Sequence, residues 1–177
     1  MDFGLLVLRL VVGALFIGHG TQKLLGWFGG YGLEGTGGFM ETLGYRPGKR
    51  YAVLGGISEA GGGLLLVLGL LTPLAAAMII GVMINATLAV HAEKGVWNTN
   101  GGYELPLAFG AAAACLAYVG PGSVSADRLL GGPFMSYLYG SAAVALGVIT
   151  GVAVHSLRRP EPQSKENEAG EEGRRAA

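Results

Sequence analysis

The side chains of this sequence that could carry chemistry are few, and they interrupt segments otherwise built from apolar residues. Arg9, His19 and Lys23 fall in one such segment, Glu59 in a second, Asn85 and His91 in a third, and Glu104 opens a fourth. A charge inside a long apolar helix is costly and normally faces a partner or a cavity, so each position is a functional candidate. His19 and Glu59 form the proton-handling set, since an imidazole near a buried carboxylate can pass protons at neutral pH. Arg9, Lys23 and Glu104 form the substrate-binding set, suited to holding polar atoms or a developing anion. The plain alternative is that these charges only hold helices together, because interhelical polar contacts contribute on average about 0.6 kcal/mol. Glu59 sits deepest and favours function; His91, beside an interface, favours a structural or solvated role.

Spacing sorts these residues into faces. At about 100° per residue, Arg9, Gly13, Phe16, His19, Gly20 and Lys23 occupy roughly a third of a helix circumference. That face is polar and lined with glycine. Gly55, Gly62 and Gly69 recur at every seventh position, with Glu59 beside their seam. Small residues at such spacing mark close helix packing, which turns Glu59 towards protein rather than lipid. A rise of about 1.5 Å per residue puts His19 and Glu59 at a similar depth and Arg9 about 10 Å away from Glu59. The pairs expected from depth are His19 with Glu59 and Lys23 with Glu104.

Other chemistries find little support. Cys115 is the only cysteine, so internal disulfides, CxxC redox pairs and thiol–disulfide membrane enzymes are excluded, and it reads as a packing residue. The three histidines show no HExxH or comparable spacing, and no metal site is expected. The glycine-rich stretch from Gly29 to Gly38 lacks a Walker lysine and reads as a flexible or re-entrant loop, with Phe39 to Leu43 a short interfacial helix. Twelve basic and twelve acidic residues balance to zero, which gives no sign of nucleic-acid binding.

The elements that must position these residues are membrane spans. Of 177 residues, 51% are hydrophobic and 14% charged, well below the roughly 25% charged of soluble domains. A span needs about 20 mostly apolar residues. Five segments meet or approach this: 4–25, 51–71, 73–91, 103–119 (short) and 134–157. Thr72 and Pro73 suit the start of the third, Pro106 the first turn of the fourth, and Gly120-Pro121-Gly122 its end. The first segment lacks a basic n-region and a small-residue cleavage site, and reads as a retained helix. The polar stretch 158–177 reads as a disordered charged tail. Lys23, Arg46, Lys49, Arg50, Lys94, Arg158 and Arg159 fall on one side of a five-span chain, with Arg128 on the other. The positive-inside rule then predicts an extracytoplasmic N-terminus and a cytoplasmic C-terminus, with Trp27 and Trp97 at the cytoplasmic interface.

Several stretches together carry a family resemblance: Leu8-Arg9-Leu10, Gly18-His19-Gly20-Thr21-Gln22-Lys23-Leu24, Gly55-Gly56-Ile57-Ser58-Glu59-Ala60-Gly61-Gly62, Gly102-Tyr103-Glu104-Leu105, and Gly120 to Asp127. In this order, across residues 1–130, they resemble the DoxX family of small bacterial membrane proteins. The resemblance implies an all-α membrane protein, a four-helix transmembrane bundle in the plasma membrane, and carries Arg9, His19, Lys23, Glu59 and Glu104 over as its positions of interest. Members are linked with redox metabolism; the name comes from a subunit of a thiosulfate:quinone oxidoreductase, and a mycobacterial member is associated with superoxide dismutase and a sulfurtransferase. This chain departs by adding a fifth span at 131–157, whose Gly140, Gly147 and Gly151 could pack on the core or drive association between copies.

Three functions follow as expectations. The first is a quinone-interacting oxidoreductase subunit, with no covalently bound cofactor and with electrons brought by a partner or second substrate. The second is a non-catalytic scaffold anchoring soluble redox enzymes on the cytoplasmic side. The third, a small transporter, ranks last because five helices are few and no inverted repeat is evident. Expected partners are the lipid bilayer, soluble redox enzymes and further copies of the chain.

Overall fold

A computed structural model describes residues 2–132 and 136–160. Among these residues every regular element is helical. In chain order they are α1 (Asp2–Leu25), α2 (Gly32–Thr42), α3 (Gly48–Leu68), α4 (Thr72–Ala86), α5 (Glu104–Val119), α6 (Ala126–Leu129) and α7 (Tyr137–Ser156). Helix α4 continues through one widened turn, Thr87–His91, and one tight turn, Ala92–Lys94. Four helices, Asp2–Leu25, Gly48–Leu68, Thr72–Lys94 and Tyr137–Ser156, are long and apolar enough to cross a membrane. The fourth expected span is the 16-residue α5, about 24 Å long, so it falls short of the hydrocarbon core by itself. The predicted start of the fifth span at Phe134, and residues 161–177 of the tail predicted over 158–177, lie outside the described residues.

Helix α4 is central: α3, α5 and α7 all pack on it, while α1 packs on α3. Lipid is as apolar as leucine, so these contacts depend on close backbone approach. Gly13 and Gly20 of α1 face Gly63 and Gly56 of α3, and a Cβ on Gly13 or Gly20 would lie 2.6 Å from the facing carbonyl oxygen. The α4–α7 seam is built the same way, since a Cβ on Gly151 would lie 2.6 Å from Gly81 O and one on Gly147 2.7 Å from Ile80 Cβ. Of the seven-residue glycine series, only Gly62 serves close helix packing, against Ala75 and Met78. Gly55 has open space beside it, and Gly69 ends α3 with a left-handed φ of 61°. Inside the bundle, Phe16, Leu66, Ala76, Ile79 and Leu116 share one core, where the Phe16 and Phe109 rings meet edge to face at 5.5 Å. Outside it, Leu54, Ile57, Leu64, Ile149 and Val152 are exposed, as a lipid-facing surface requires.

Two connections are more ordered than their composition predicts. The glycine-rich stretch forms the 11-residue α2, not a loop with a short helix at Phe39–Leu43. Its buried Thr36 and Gly37 lie on the start of α3, and a Cβ on Gly37 would sit 2.9 Å from Lys49 Cγ. Tertiary packing thus overrides the poor helix propensity of glycine. At the opposite end, the α3–α4 turn forces Leu71 to φ 46°, and Asp127 from the last connection caps it. Its carboxylate accepts Leu71 N–H (2.7 Å), Thr72 N–H (3.0 Å) and Thr72 Oγ1–H (2.8 Å).

Candidate functional site

The two ends of the bundle differ in charge, and the end holding Lys23, Arg46, Lys49, Arg50, Arg158 and Arg159 is called the basic end here. In that half, a cleft of about 500 Å³ lies over α4, with α3 as one wall and α7 as the other. Met78, Val82, Ala86 and Val90 of α4 form its floor; Leu54, Gly55 and Ser58 line one side, Leu146, Thr150 and Val154 the other. Phe39, Met40 and Leu43 from α2 and its end close it over the basic end. The missing side chain at Gly55 leaves the space that a larger residue would fill. The volume is within the range of about 300–1,000 Å³ usual for small-molecule sites, and the lining is apolar with a few polar groups.

Those polar groups come from four elements. Lys23 Nζ donates to Glu59 Oε2 in an ion pair on the α3 wall. The Glu59 side chain is 4% exposed and that of Lys23 27%, so both line the cleft and the lysine is the more accessible of the two. Tyr45, buried beneath α2, donates its hydroxyl to Asn85 Oδ1 on α4. Burial pushes the Tyr45 phenol pKa up, and the Asn85 hydrogen bond offsets part of that effect. His91 lies on the widened turn, with its Nδ1 2.6 Å from Gly101 O. A carbonyl oxygen can only accept, so Nδ1 carries the hydrogen in this contact.

The expected pairings are corrected by helix geometry. Lys23 pairs with Glu59 and not with Glu104, and His19 does not meet Glu59. Gly20 lies opposite Gly56 and Ala60, which puts Glu59 level with His19 and one turn from Lys23. Side chains tilt towards the N-terminus of their own helix. In an antiparallel pair the Lys23 and Glu59 side chains therefore lean towards each other and close the gap of about 6 Å. His19 shares the depth but is exposed on another face, its Nδ1–H bound to Gln22 Oε1 at 3.2 Å. Glu104 is exposed in the first turn of α5, where its Oε2 accepts Asn98 N–H at 2.9 Å.

Arg9 belongs to the opposite end. It is 1% exposed, and its Nη2 donates to Val124 O at 2.6 Å. Its Nε and Nη1 have no hydrogen-bond partner among the described residues. Asp127 is the nearby countercharge, so Arg9 ties α1 to the connection that caps α4. Of the five candidates, Lys23 and Glu59 line the cleft, whereas Arg9, His19 and Glu104 lie outside it. Tyr45, Asn85 and His91 join them there; Asn85 and His91 could be singled out as polar residues in an apolar run, whereas nothing in the sequence marks Tyr45. Among the described residues no group of His, Cys, Asp and Glu side chains is arranged to hold a metal ion.

Comparison with known proteins agrees with this architecture. Residues 4–92, which hold α1 to α4, match the DoxX family. The chain is 31% identical over 129 residues to the inner membrane protein YqjF of Escherichia coli (strain K12), covering 73% of this chain and 93% of that one. No solved structure matches the chain. The matched helices carry Lys23, Glu59, Asn85 and His91, while α7, the second wall of the cleft, lies beyond the family match; this membrane protein belongs to the DoxX family.

Proposed function

We propose that the protein is a quinone-interacting subunit of the inner membrane, and that the cleft between α3 and α7 is its quinone site. The single observation that carries this reading is the placement of the Lys23–Glu59 pair on the wall of a largely apolar cleft between membrane-length helices. A quinone is an apolar ring and tail with carbonyl oxygens that become anionic on reduction. The tail suits the Leu54, Val82 and Leu146 surfaces. Lys23 Nζ suits the carbonyl, because a cation held in a site of low dielectric stabilises a developing oxyanion strongly. Reduction to the quinol takes two electrons and two protons. In this reading Glu59 relays the protons, and the electrons come from a redox partner.

The basic end is proposed as cytoplasmic, by the positive-inside rule, which puts the N-terminus outside. The name of the bacterial relative, an inner membrane protein, supports the inner membrane as the location and does not bear on the orientation. Reporter fusions after Leu71 and Arg159 test it; a cytoplasmic signal after Leu71 overturns it.

The site itself is tested by quinone content. The protein is purified in native lipid discs, extracted and compared by mass spectrometry with an unrelated membrane protein. Quinone enriched in the wild type, and reduced at least tenfold in a folded Glu59→Gln variant, supports the reading. Absence of enrichment favours the non-catalytic scaffold, for which the exposed Trp27, Phe28 and Tyr31 at the basic end offer a surface.

A further inference from the structure

Helix α4 lines the cleft in an ordinary helical pattern until its widened turn. Met78, Val82 and Ala86 recur at every fourth residue along the floor, as one face of an α-helix does. The next step of four reaches Val90, but the lining also takes in His91, the last residue of the widened turn. In a straight α-helix His91 would lie five residues and about 500° beyond Ala86, which is nearly opposite the floor. The widened turn closes its hydrogen bonds one residue later and so takes back about 100° of that rotation. His91 comes round to the edge of the cleft as a result. Widened turns are rare inside α-helices and frequent at functional sites. The ring is also held. Its Nδ1–H is bound by Gly101 O at 2.6 Å, and Gly101 belongs to a built connection, closed by Gly102 N–H to Trp97 O at 3.0 Å and Asn98 N–H to Glu104 Oε2 at 2.9 Å. Nε2 lies on the other edge of the same ring.

Depth relates His91 to the ion pair. Gly62 packs against Ala75 and Met78, which sets Glu59 about level with Ile80. His91 follows Ile80 by eleven residues and so lies about 16 Å nearer the basic end. Helices α3 and α4 are antiparallel and side chains tilt towards the N-terminus of their own helix, so Glu59 and His91 lean towards each other and shorten the gap to roughly 10 Å.

We propose that His91 is the second polar contact of the cleft, and that the ligand bridging it to Lys23 is a quinone whose two oxygens are para to each other; this rests on the quinone reading of the cleft and narrows it. Para oxygens stand about 5 Å apart, and a hydrogen bond of about 3 Å at each end gives a span of about 11 Å. The adjacent oxygens of an ortho-quinone are too close together to reach both groups. An imidazole nitrogen suits both oxidation states, because it donates to a carbonyl when protonated and accepts from a hydroxyl when not.

The test is binding of decylubiquinone, a para-quinone, to the intact protein in detergent. An alkylphenol of equal tail length, with a single ring oxygen, is the comparison probe, and each variant is verified as helical by circular dichroism. Wild type is expected to bind decylubiquinone. His91→Ala is expected to bind it about tenfold more weakly, the effect of one lost hydrogen bond, and to bind the alkylphenol within about twofold of wild type. His91→Gln carries an amide where Nε2 stands and His91→Asn where Nδ1 stands, so the Gln variant is expected to retain more affinity than the Asn variant. Equal weakening of both probes, or better retention in the Asn variant, means that His91 serves only the Gly101 connection and overturns the proposal. Unchanged decylubiquinone binding in His91→Ala overturns it and leaves the quinone site standing. No decylubiquinone binding by wild type overturns the quinone reading itself, and the role of His91 with it.

Discussion

Lys23 and Glu59 meet across the α1–α3 seam although their backbones stand a turn apart in depth, and the glycines on that seam are what permit it. Gly20 and Gly56 bring the two helices into backbone contact just where the pair must form. A bulkier seam would separate the helices and leave a carboxylate that is 4% exposed without its cation. Packing and polar chemistry are therefore one arrangement here: the seam that holds the bundle also brings the ion pair together on the cleft wall.

That coupling predicts a double-mutant signature. Lys23→Met alone leaves Glu59 buried without a countercharge, and Glu59→Gln alone leaves Lys23 facing an apolar cleft. Breaking a buried pair from one side is worth about 3–5 kcal/mol, but the partial exposure of Lys23 lowers the expectation to about 1–3 kcal/mol. The double variant Lys23→Met/Glu59→Gln is expected to recover most of the loss. Unfolding of all three variants in detergent, followed by circular dichroism, checks this. Additive losses would mean that the two groups do not sense each other.

The seam itself predicts a contrast between two glycines of one helix. A Cβ at Gly20 would lie 2.6 Å from the Ala60 Cβ, whereas at Gly18 nothing lies within 4 Å. Gly20→Val is expected to separate α1 from α3, costing about 1–3 kcal/mol through overpacking. Gly18→Ala is expected to be neutral, or stabilising by up to about 1 kcal/mol, because alanine favours helix. Thermal midpoints of the two variants in the same detergent decide it.

At the opposite end, Asp127 does two jobs that a second substitution, at Arg9, separates. It caps the strained Leu71–Thr72 turn and faces the buried Arg9. Asp127→Ala loses both, and is expected to cost more than the roughly 0.5–2 kcal/mol of an ordinary helix cap. Adding Arg9→Met to that variant removes the uncompensated cation and is expected to restore part of the stability. Denaturant midpoints measure both; no rescue would mean that the Val124 carbonyl alone satisfies Arg9.

The sequence makes the membrane helices legible because twenty-residue apolar runs leave few alternatives, and glycine and proline mark their ends. Lys23 and Glu59 are legible as candidates for the same reason: a charge in such a run stands out. Their partnership is not, because depth along a helix says nothing of the direction in which a side chain leans. His19 shows the limit most clearly. It shares Glu59's depth, yet lies on an exposed face and binds Gln22. Asp127 and Tyr45 are illegible for another reason. Each sits in a connection and acts on a helix far along the chain, Asp127 on Thr72 and Tyr45 on Asn85. The helical α2 is hidden by its glycines, which only the start of α3 makes useful.

Tyr45 closes the cleft at the basic end, and its ionisation reports whether that closure holds. It is 1% exposed, donates to Asn85 Oδ1, and has its pKa raised by burial. Its folded pKa therefore lies above the unfolded value of about 10. The resulting stability is fully present below about pH 10 and is lost as pH rises through the folded value. Of the seven tyrosines in the chain, Tyr45 is expected to ionise late in an ultraviolet titration, seen as the difference between wild type and Tyr45→Phe. The substitution removes that alkaline component, and leaving Asn85 without its donor is expected to cost about 1 kcal/mol. A difference spectrum that titrates near pH 10 would mean that water reaches the phenol, and that the seal formed by α2, Tyr45 and the end of α7 is open in solution.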